Sequence, residues 1–424
     1  MRIRLDYGSD GLEVDLPDDR VIVIEPAHRP AAADPHGVLL TAIRSPVAGP
    51  PLRDVARGRS RVAISVCDIT RAQPRPQMLR ALFEEMPDVR PEDVTILIAT
   101  GTHRANTPDE LERMLGADLV RRCRVINHDS RNAALLEYVG TTSTGVRVLL
   151  NREWLAADLR LTTGFVEPHF FAGFSGGPKM VAPGLAGLDT VMTLHDATRI
   201  GHPNATWGVT EGNPIHDDVR EISGMAPPHF SVDVTLNREQ QITAAFAGAL
   251  LAEHRAACAH AKTTAMRAVA APFDVVLTTN SGYPLDQNLY QAVKGMSAAA
   301  KIVKPGGTII CAAECRDGLP DHGSYGAVLA SRPNPAALLD MINSPGYAVA
   351  DQWQVQIQAQ IQLKADVLVK TSGLGPGDVR AAHFVPIDDV ERAVGEALSR
   401  AGAAATLCVL PQGPQTIPYV SPLD

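Results

Sequence analysis

Apolar positions along the chain fall into short runs separated by helical and turn-forming stretches. Ile3 and Leu5, then Leu12, Val14 and Leu16, alternate around Gly8-Ser9-Asp10-Gly11, which predicts a small β unit over 1–24. Residues 26–52 are rich in Pro, Ala and Gly and predict an irregular connection. A β-loop-α rhythm follows. Val62–Val66, Val94–Ala99 and Leu159–Thr163 read as buried strands, with helices over Met78–Glu85, Pro108–Leu115 and Gly187–Arg199. A second series begins near residue 270, after an Ala-rich helix over 250–269. It holds strands Asp274–Thr279, Gly307–Ala312 and Asp366–Lys370 and helices Gln287–Ala300 and Val390–Ala401. Residues Gln354–Leu363 alternate Gln with apolar side chains, which suits a strand by periodicity and a helix by length.

This alternation predicts an α/β protein of two domains, each a largely parallel sheet flanked by helices. A length of 424 residues suits two domains. The boundaries read as 1–268 for the first, with the tail 410–424 returning to it, and 269–409 for the second. Functional loops are expected at the carboxyl ends of the strands, with the active site in the cleft between the domains.

Composition narrows the function. Lys and Arg number 39 against 47 Asp and Glu, a net charge of −8, so nothing in the balance favours a phosphate backbone and a nucleic-acid partner is not expected. A few buried cations still allow a small anionic ligand. Met1-Arg2-Ile3-Arg4-Leu5-Asp6 lacks the apolar stretch of a signal peptide, and no run approaches the roughly 18 apolar residues that span a bilayer. The six cysteines are scattered, unlike a disulfide framework, and Cys311 and Cys315 read as core. The expectation is a cytoplasmic protein with no membrane contact.

Three polar clusters follow predicted strands: Cys67-Asp68-Ile69-Thr70-Arg71, Thr100-Gly101-Thr102-His103-Arg104, and Glu167-Pro168-His169 running to Gly173-Phe174-Ser175-Gly176-Gly177-Pro178-Lys179. Their convergence on neighbouring strand ends is the stronger signal. The Gly-rich segment fails as a Walker A loop, because Pro178 and Met180 replace the required Gly and Ser or Thr. Its amides either cradle one phosphate or form a tight turn beside a solvated lysine. Gly373-Leu374-Gly375-Pro376-Gly377 has the wrong spacing for a dinucleotide fingerprint and reads as a strand-to-helix turn. Of 13 histidines, His28, His36, His254, His260 and His322 look like ordinary surface residues, whereas His103, His169 and His195 accompany these clusters. With Arg71 and Lys179 they form either a metal site or an acid–base pair. In the second series Gln287, Gln291 and Lys294 fall on one helical face, which is either a solvated face or one placed to clamp a carboxylate from the opposite side.

Jointly these motifs resemble the nickel-dependent lactate racemase family of 2-hydroxyacid racemases and epimerases. The resemblance rests on Asp68-x-Thr-Arg71, Gly101-Thr-His103-Arg, Glu167-Pro-His169 with Ser175-Gly-Gly-Pro-Lys179, His195, and Gln291-x-x-Lys294-Gly-Met. It implies a nickel-pincer nucleotide, a pyridinium-3,5-bisthiocarboxylate mononucleotide of Ni(II), made by accessory enzymes and held covalently by Lys179. His195 would be the nickel ligand, and Asp68, Ile69, Thr70 and Arg71 would line the cofactor. His103 and His169 would be the acid–base pair, with Arg71, Gln291 and Lys294 binding substrate. The first domain would then carry cofactor and catalysis and the second would clamp the substrate. Inverting C2 by proton abstraction is hard beside a carboxylate, so the resemblance implies hydride transfer to the cofactor and a proton shuttle for the hydroxyl.

Two other functions compete. One is a hydrolase or lyase with His103, His169 and His195 around a metal, although no HExxH or similar close-spaced ligand pair is present. The other is a non-catalytic cofactor-binding homologue. Trp353 and Tyr290 are candidates for the substrate's variable group, with core packing the alternative.

Overall fold

The computed structural model describes residues 1–320 and 323–421, so His322 and the chain after Ser421 lie outside it. The chain divides into two compact units. One holds His28–His195 and Asn204–Thr264; the other holds Met1–Ala27, Asp196–Pro203 and the chain from Ala265 onward.

The first of these units is built on a six-stranded sheet. In spatial order the strands are Ile242–Gly248, Phe230–Leu236, Leu159–Phe165, Val62–Cys67, Val94–Ala99 and Arg124–Asn127. All pairings are parallel except that of the edge strand Ile242–Gly248. Every residue of Val62–Cys67 is buried, as a central parallel strand covered on both faces requires. Numbered along the chain within this sheet, the order is 6-5-4-1-2-3, so the direction of winding reverses between Val62–Cys67 and Leu159–Phe165. That reversal opens a crevice at the carboxyl ends of these two strands. One core face gathers Leu39, Ile43, Leu79, Ile96 and Phe230, and the other Leu97, Trp154, Val181 and Ile222.

The second unit has its own six-stranded sheet, parallel throughout: Val385–Ile387, Asp366–Lys370, Val303–Ala312, Phe273–Thr279, Leu407–Leu410 and Val21–Val23. Cys311 and Cys315 are buried there as free thiols, and burial pushes Cys315 up to about 12. Gly375 caps the helix Pro376–Ala381, the expected strand-to-helix turn.

The α/β class with parallel sheets stands as predicted, while several boundaries differ for physical reasons. Met1–Ala27 packs with the chain after Ala265, because Leu5, Val14 and Leu16 join Leu277, Val394 and Val409 in one core. Val21–Val23 also extends that core's sheet beside Leu407–Leu410. The tail belongs to the same unit, since Ile417–Val420 pairs with Met266–Val269. That pairing ends the Ala-rich helix at Ala265. Within 26–52 the segment Pro35–Arg44 is a helix, started by Asp34 accepting from the Gly37 amide at 2.9 Å and by Pro35 in the first turn. Gln352–Lys364 is a helix in which glutamines and apolar residues alike are buried from Gln352 to Ala359, so period-two alternation carried no strand. Its glutamine amides bond backbone carbonyls, among them Gln356 to Ala197 at 2.8 Å and Gln358 to Ala382 at 2.8 Å. Among the described residues no helix is long and apolar enough to cross a membrane.

Leu5 is fully buried, so Leu5→Ala should cost about 2–5 kcal/mol in the unit that holds the C-terminal sheet. Hydrogen exchange checks the assignment. Amides of Leu407–Leu410 should lose protection while those of Val62–Cys67 keep theirs, and the reverse pattern would return Met1–Ala27 to the other unit.

Candidate active site

The segments flanking the winding reversal carry two clusters of polar side chains. After Val62–Cys67 the chain turns through Asp68 to Arg71, and Asp68 is buried although ionisable. Its carboxylate accepts from the Thr70 amide at 3.0 Å and the Thr70 hydroxyl at 2.6 Å. The other oxygen accepts from His103 Nδ1 at 2.6 Å. Buried Arg75 staples this turn from below, donating to the carbonyls of Cys67 at 2.7 Å, Arg71 at 2.8 Å and Asp68. Ile69 packs partly on the hydrophobic core, and Thr70 is exposed. Burial raises the Asp68 pKa, but the hydrogen bond and charge of His103, the Thr70 hydroxyl and the Arg71 charge outweigh it and hold Asp68 below the usual carboxylate range. The stabilisation from this ionised contact is complete above the ordinary carboxylate range and is lost as pH falls through the depressed value.

The second cluster lies after Leu159–Phe165. Pro168–His169 pairs with Gly173–Phe174 in a minute hairpin. Gly173 is held at φ 78°, and a Cβ there would stand 2.1 Å from the Val209 carbonyl. Phe171, at the hairpin tip, is buried and joins three site residues. Its ring centroid is 4.5 Å from that of His169, 5.2 Å from that of His195, and 5.9 Å from Lys179 Nζ. Lys179 sits in a short 3₁₀ turn, Gly177–Met180. The predicted helix through Arg199 stops at His195, its C-cap, because the Asp196 side chain caps a new helix by accepting from the Arg199 amide at 2.8 Å.

Hydrogen bonds set the ring protonation of all three histidines. His103 and His195 each donate from Nδ1, to the Asp68 carboxylate and to the Val191 carbonyl at 2.7 Å, which leaves a lone pair on Nε2. His169 is opposite: its Nδ1 accepts from the amides of Ala172 at 3.3 Å and Phe171 at 3.5 Å, so the neutral ring carries its proton on Nε2. At Nε2 the neutral His103 ring therefore presents a lone pair and the neutral His169 ring an N–H. The two clusters are tied by backbone, with the Gly101 amide donating to the Gly184 carbonyl at 3.0 Å. The Ser65 hydroxyl also donates to the Met180 carbonyl at 2.7 Å.

Gln291 and Lys294 belong to the other unit, on the helix Leu289–Ala299, and both are half-buried. Asn288 caps that helix, so Gln287 lies before it and not on the expected face. Tyr290 stacks edge-on against Tyr325, centroids 5.2 Å apart, and accepts from Trp353 Nε1 at 3.3 Å, so both candidates take part in internal packing.

Among the described residues no three His, Cys, Asp or Glu side chains are grouped as a metal site, so His103, His169 and His195 do not form a triad. Sequence reasoning missed Phe171, although adjacent phenylalanines after a histidine stand out in a chain with 4% aromatics. It also misjudged His254. That ring is buried, stacked on His216 with centroids 5.5 Å apart, and donates from Nε2 to the Ser175 carbonyl at 2.9 Å.

Known proteins place this arrangement. Residues 7–208 match the lactate racemase N-terminal domain and residues 268–417 the lactate racemase C-terminal domain. A lactate racemase of Thermoanaerobacterium thermosaccharolyticum is 35% identical over 98% of both chains. One of Lactiplantibacillus plantarum is 36% identical over 88% of both. The structure of the T. thermosaccharolyticum lactate racemase apoprotein superposes with a TM-score of 0.91 at 34% identity, covering 99% of this chain and 100% of that one. A Thermotoga maritima protein shares the fold alone, at TM-score 0.64 and 19% identity over 87% of this chain and 96% of its own. The fold is that of a two-unit α/β isomerase. The chain belongs to the lactate racemase family, and it is a racemase.

Asp68→Asn should lower turnover by a factor on the order of 10²–10⁴, the usual size of an acid–base contribution, and should also remove the pH-dependent part of the stability that the ionised contact supplies. Turnover within severalfold of the parent would show that His103 needs no carboxylate behind it.

Proposed function

We propose that the protein racemises or epimerises a small 2-hydroxy acid at C2, with lactate the first substrate to test, using a nickel-pincer nucleotide attached to Lys179. The observation that carries this reading is the opposite hydrogen bonding at Nδ1, where His103 faces the Asp68 carboxylate and His169 faces the Ala172 amide. Enantiomers of a 2-hydroxy acid present the hydroxyl differently to a fixed site, so one residue must remove its proton while another stands protonated to return it. His103 Nε2 takes the proton from the hydroxyl of one enantiomer, with the imidazolium stabilised by buried Asp68. His169 gives a proton to the oxygen as the other enantiomer forms, doing so as the imidazolium after taking a second proton from solvent, and returns to the neutral ring. Release of the His103 proton to solvent and uptake of one by His169 restore both rings for the next turnover, and the roles exchange in the reverse direction.

The residues present fit the cofactor. The His195 Nδ1 bond to the Val191 carbonyl presents Nε2 as a ligand nitrogen, the orientation that metal-binding imidazoles need. A single protein ligand suits a metal that brings its remaining ligands with it. When bound, the group supplies a reversible acceptor for the C2 hydrogen, chemistry that protein side chains lack. Asp68, Ile69, Thr70 and Arg71 line it from the first strand end, and Lys179 holds it covalently. Arg71, Gln291 and Lys294 bind the substrate, the two cations on its carboxylate.

Co-expression with cofactor-synthesis enzymes should add a mass to Lys179 and one nickel per chain. In loaded protein, His103→Ala or His169→Ala should stop interconversion of single lactate enantiomers while nickel remains, and His195→Ala should lose nickel. Zinc without an adduct would favour a hydrolase or lyase. An adduct without turnover on any 2-hydroxy acid would favour a non-catalytic homologue.

A further inference from the structure

Behind the lysine turn lies a buried polar layer that the reaction does not use directly. Asp233, Glu253, His216 and His254 are all nearly inaccessible to solvent. The Gly177 amide donates to Asp233 Oδ2 at 2.7 Å, and His254 Nε2 donates to the Ser175 carbonyl at 2.9 Å. These two bonds hold the turn Ser175-Gly176-Gly177 at both ends, immediately before Pro178 and Lys179. They also explain the paired glycines. A Cβ on Gly176, at φ 71°, would stand 2.9 Å from Asp233 Oδ2, and one on Gly177, at φ 50°, would stand 2.3 Å from His254 Cγ.

The direction of the hydrogen bonds fixes a proton. Thr163 and Thr162 donate their hydroxyls away from the carboxyl pair, Thr162 to Ser231 Oγ at 2.8 Å. The Ser231 hydroxyl in turn donates to Glu253 Oε1 at 2.6 Å. Glu253 Oε2 receives no donor from any other group, and its neighbour is the Asp233 carboxyl, to which it is hydrogen-bonded. Two carboxylates cannot bond each other without a proton on one of them. Burial raises both acids, and the Asp233 charge raises Glu253 further, so Glu253 keeps the proton and donates it to Asp233. On the other side, burial lowers His254 to about 4 and His216 to about 3, consistent with a neutral stacked pair.

We propose that Asp233, bonded to protonated Glu253, together with His254, positions Lys179 by clamping the two ends of the glycine turn that presents it. The inference rests on Lys179 being the attachment residue, but its test does not require the cofactor.

The probe is the rate at which Lys179 in the apoprotein reacts with an amine-acylating reagent, followed by peptide mass. Glu253→Gln keeps both bonds, because its amide donates to Asp233 and its oxygen accepts from Ser231, and should leave that rate unchanged. Asp233→Val or Glu253→Leu should shift it on the order of tenfold to a hundredfold, the usual penalty for a misplaced group. Infrared spectra of the unsubstituted protein at neutral pH should show a protonated carboxylic acid band that Glu253→Gln removes, a readout that needs no folded Val or Leu variant. Absence of that band, or native Lys179 reactivity in a folded Asp233→Val protein, would overturn the proposal. Failure of Lys179 to take the cofactor with the band and reactivities as expected would instead count against the cofactor assignment alone.

Discussion

What each imidazole near the site can do is decided at its Nδ1. His103 and His195 donate from that nitrogen to an oxygen, a buried carboxylate in one case and a helix carbonyl in the other. His169 receives backbone amides there. A neutral ring has one proton to place, so the partner at Nδ1 leaves either a lone pair or a hydrogen at Nε2. Three residues of one type thereby present different Nε2 atoms, a lone pair on His103 and His195 and an N–H on His169. The selectivity resides in ordinary backbone and carboxylate hydrogen bonds.

The fold supplies those partners through topology. Winding reverses between Val62–Cys67 and Leu159–Phe165, and the two loops released there carry Asp68 and the His169 hairpin. Rigid parallel strands hold the loop starts, and secondary staples hold the loops themselves: Arg75 beneath Asp68, Phe171 among His169, His195 and Lys179, and Asp233 with His254 beneath the glycine turn. Buried ionisable groups are costly, and here each is hydrogen-bonded, Arg75 and His254 to backbone carbonyls, Asp68 to His103, and Asp233 to the Gly177 amide.

Much of this was legible in the linear chain, for reasons that differ by residue. Runs such as Val62–Val66 and Val94–Ala99 are apolar without interruption because both faces of a parallel strand are covered, so they read as strands directly. Asp68, His103, His169 and Lys179 stood out because they follow such runs. The helix Pro35–Arg44 was hidden by its Pro- and Gly-rich surroundings, although Asp34 before Pro35 is itself a start signal. Membership of Met1–Ala27 in the C-terminal unit depends on Val21–Val23 pairing with Leu407–Leu410, near the opposite end of the chain, which local pattern does not encode. His254 looked like a surface residue because an Ala-rich helix gives weak periodicity, and its partner Ser175 is remote in sequence. The net charge of −8 was informative about nucleic acids and silent about the site, where local pairing governs.

Opposite protonation of two imidazoles is the central claim, and nitrogen NMR of protein labelled at histidine reads it directly. At a pH where both rings are neutral, His103 should show its proton on Nδ1 and an unprotonated Nε2, while His169 should show the reverse. The same tautomer at both residues would contradict the acid–base assignment.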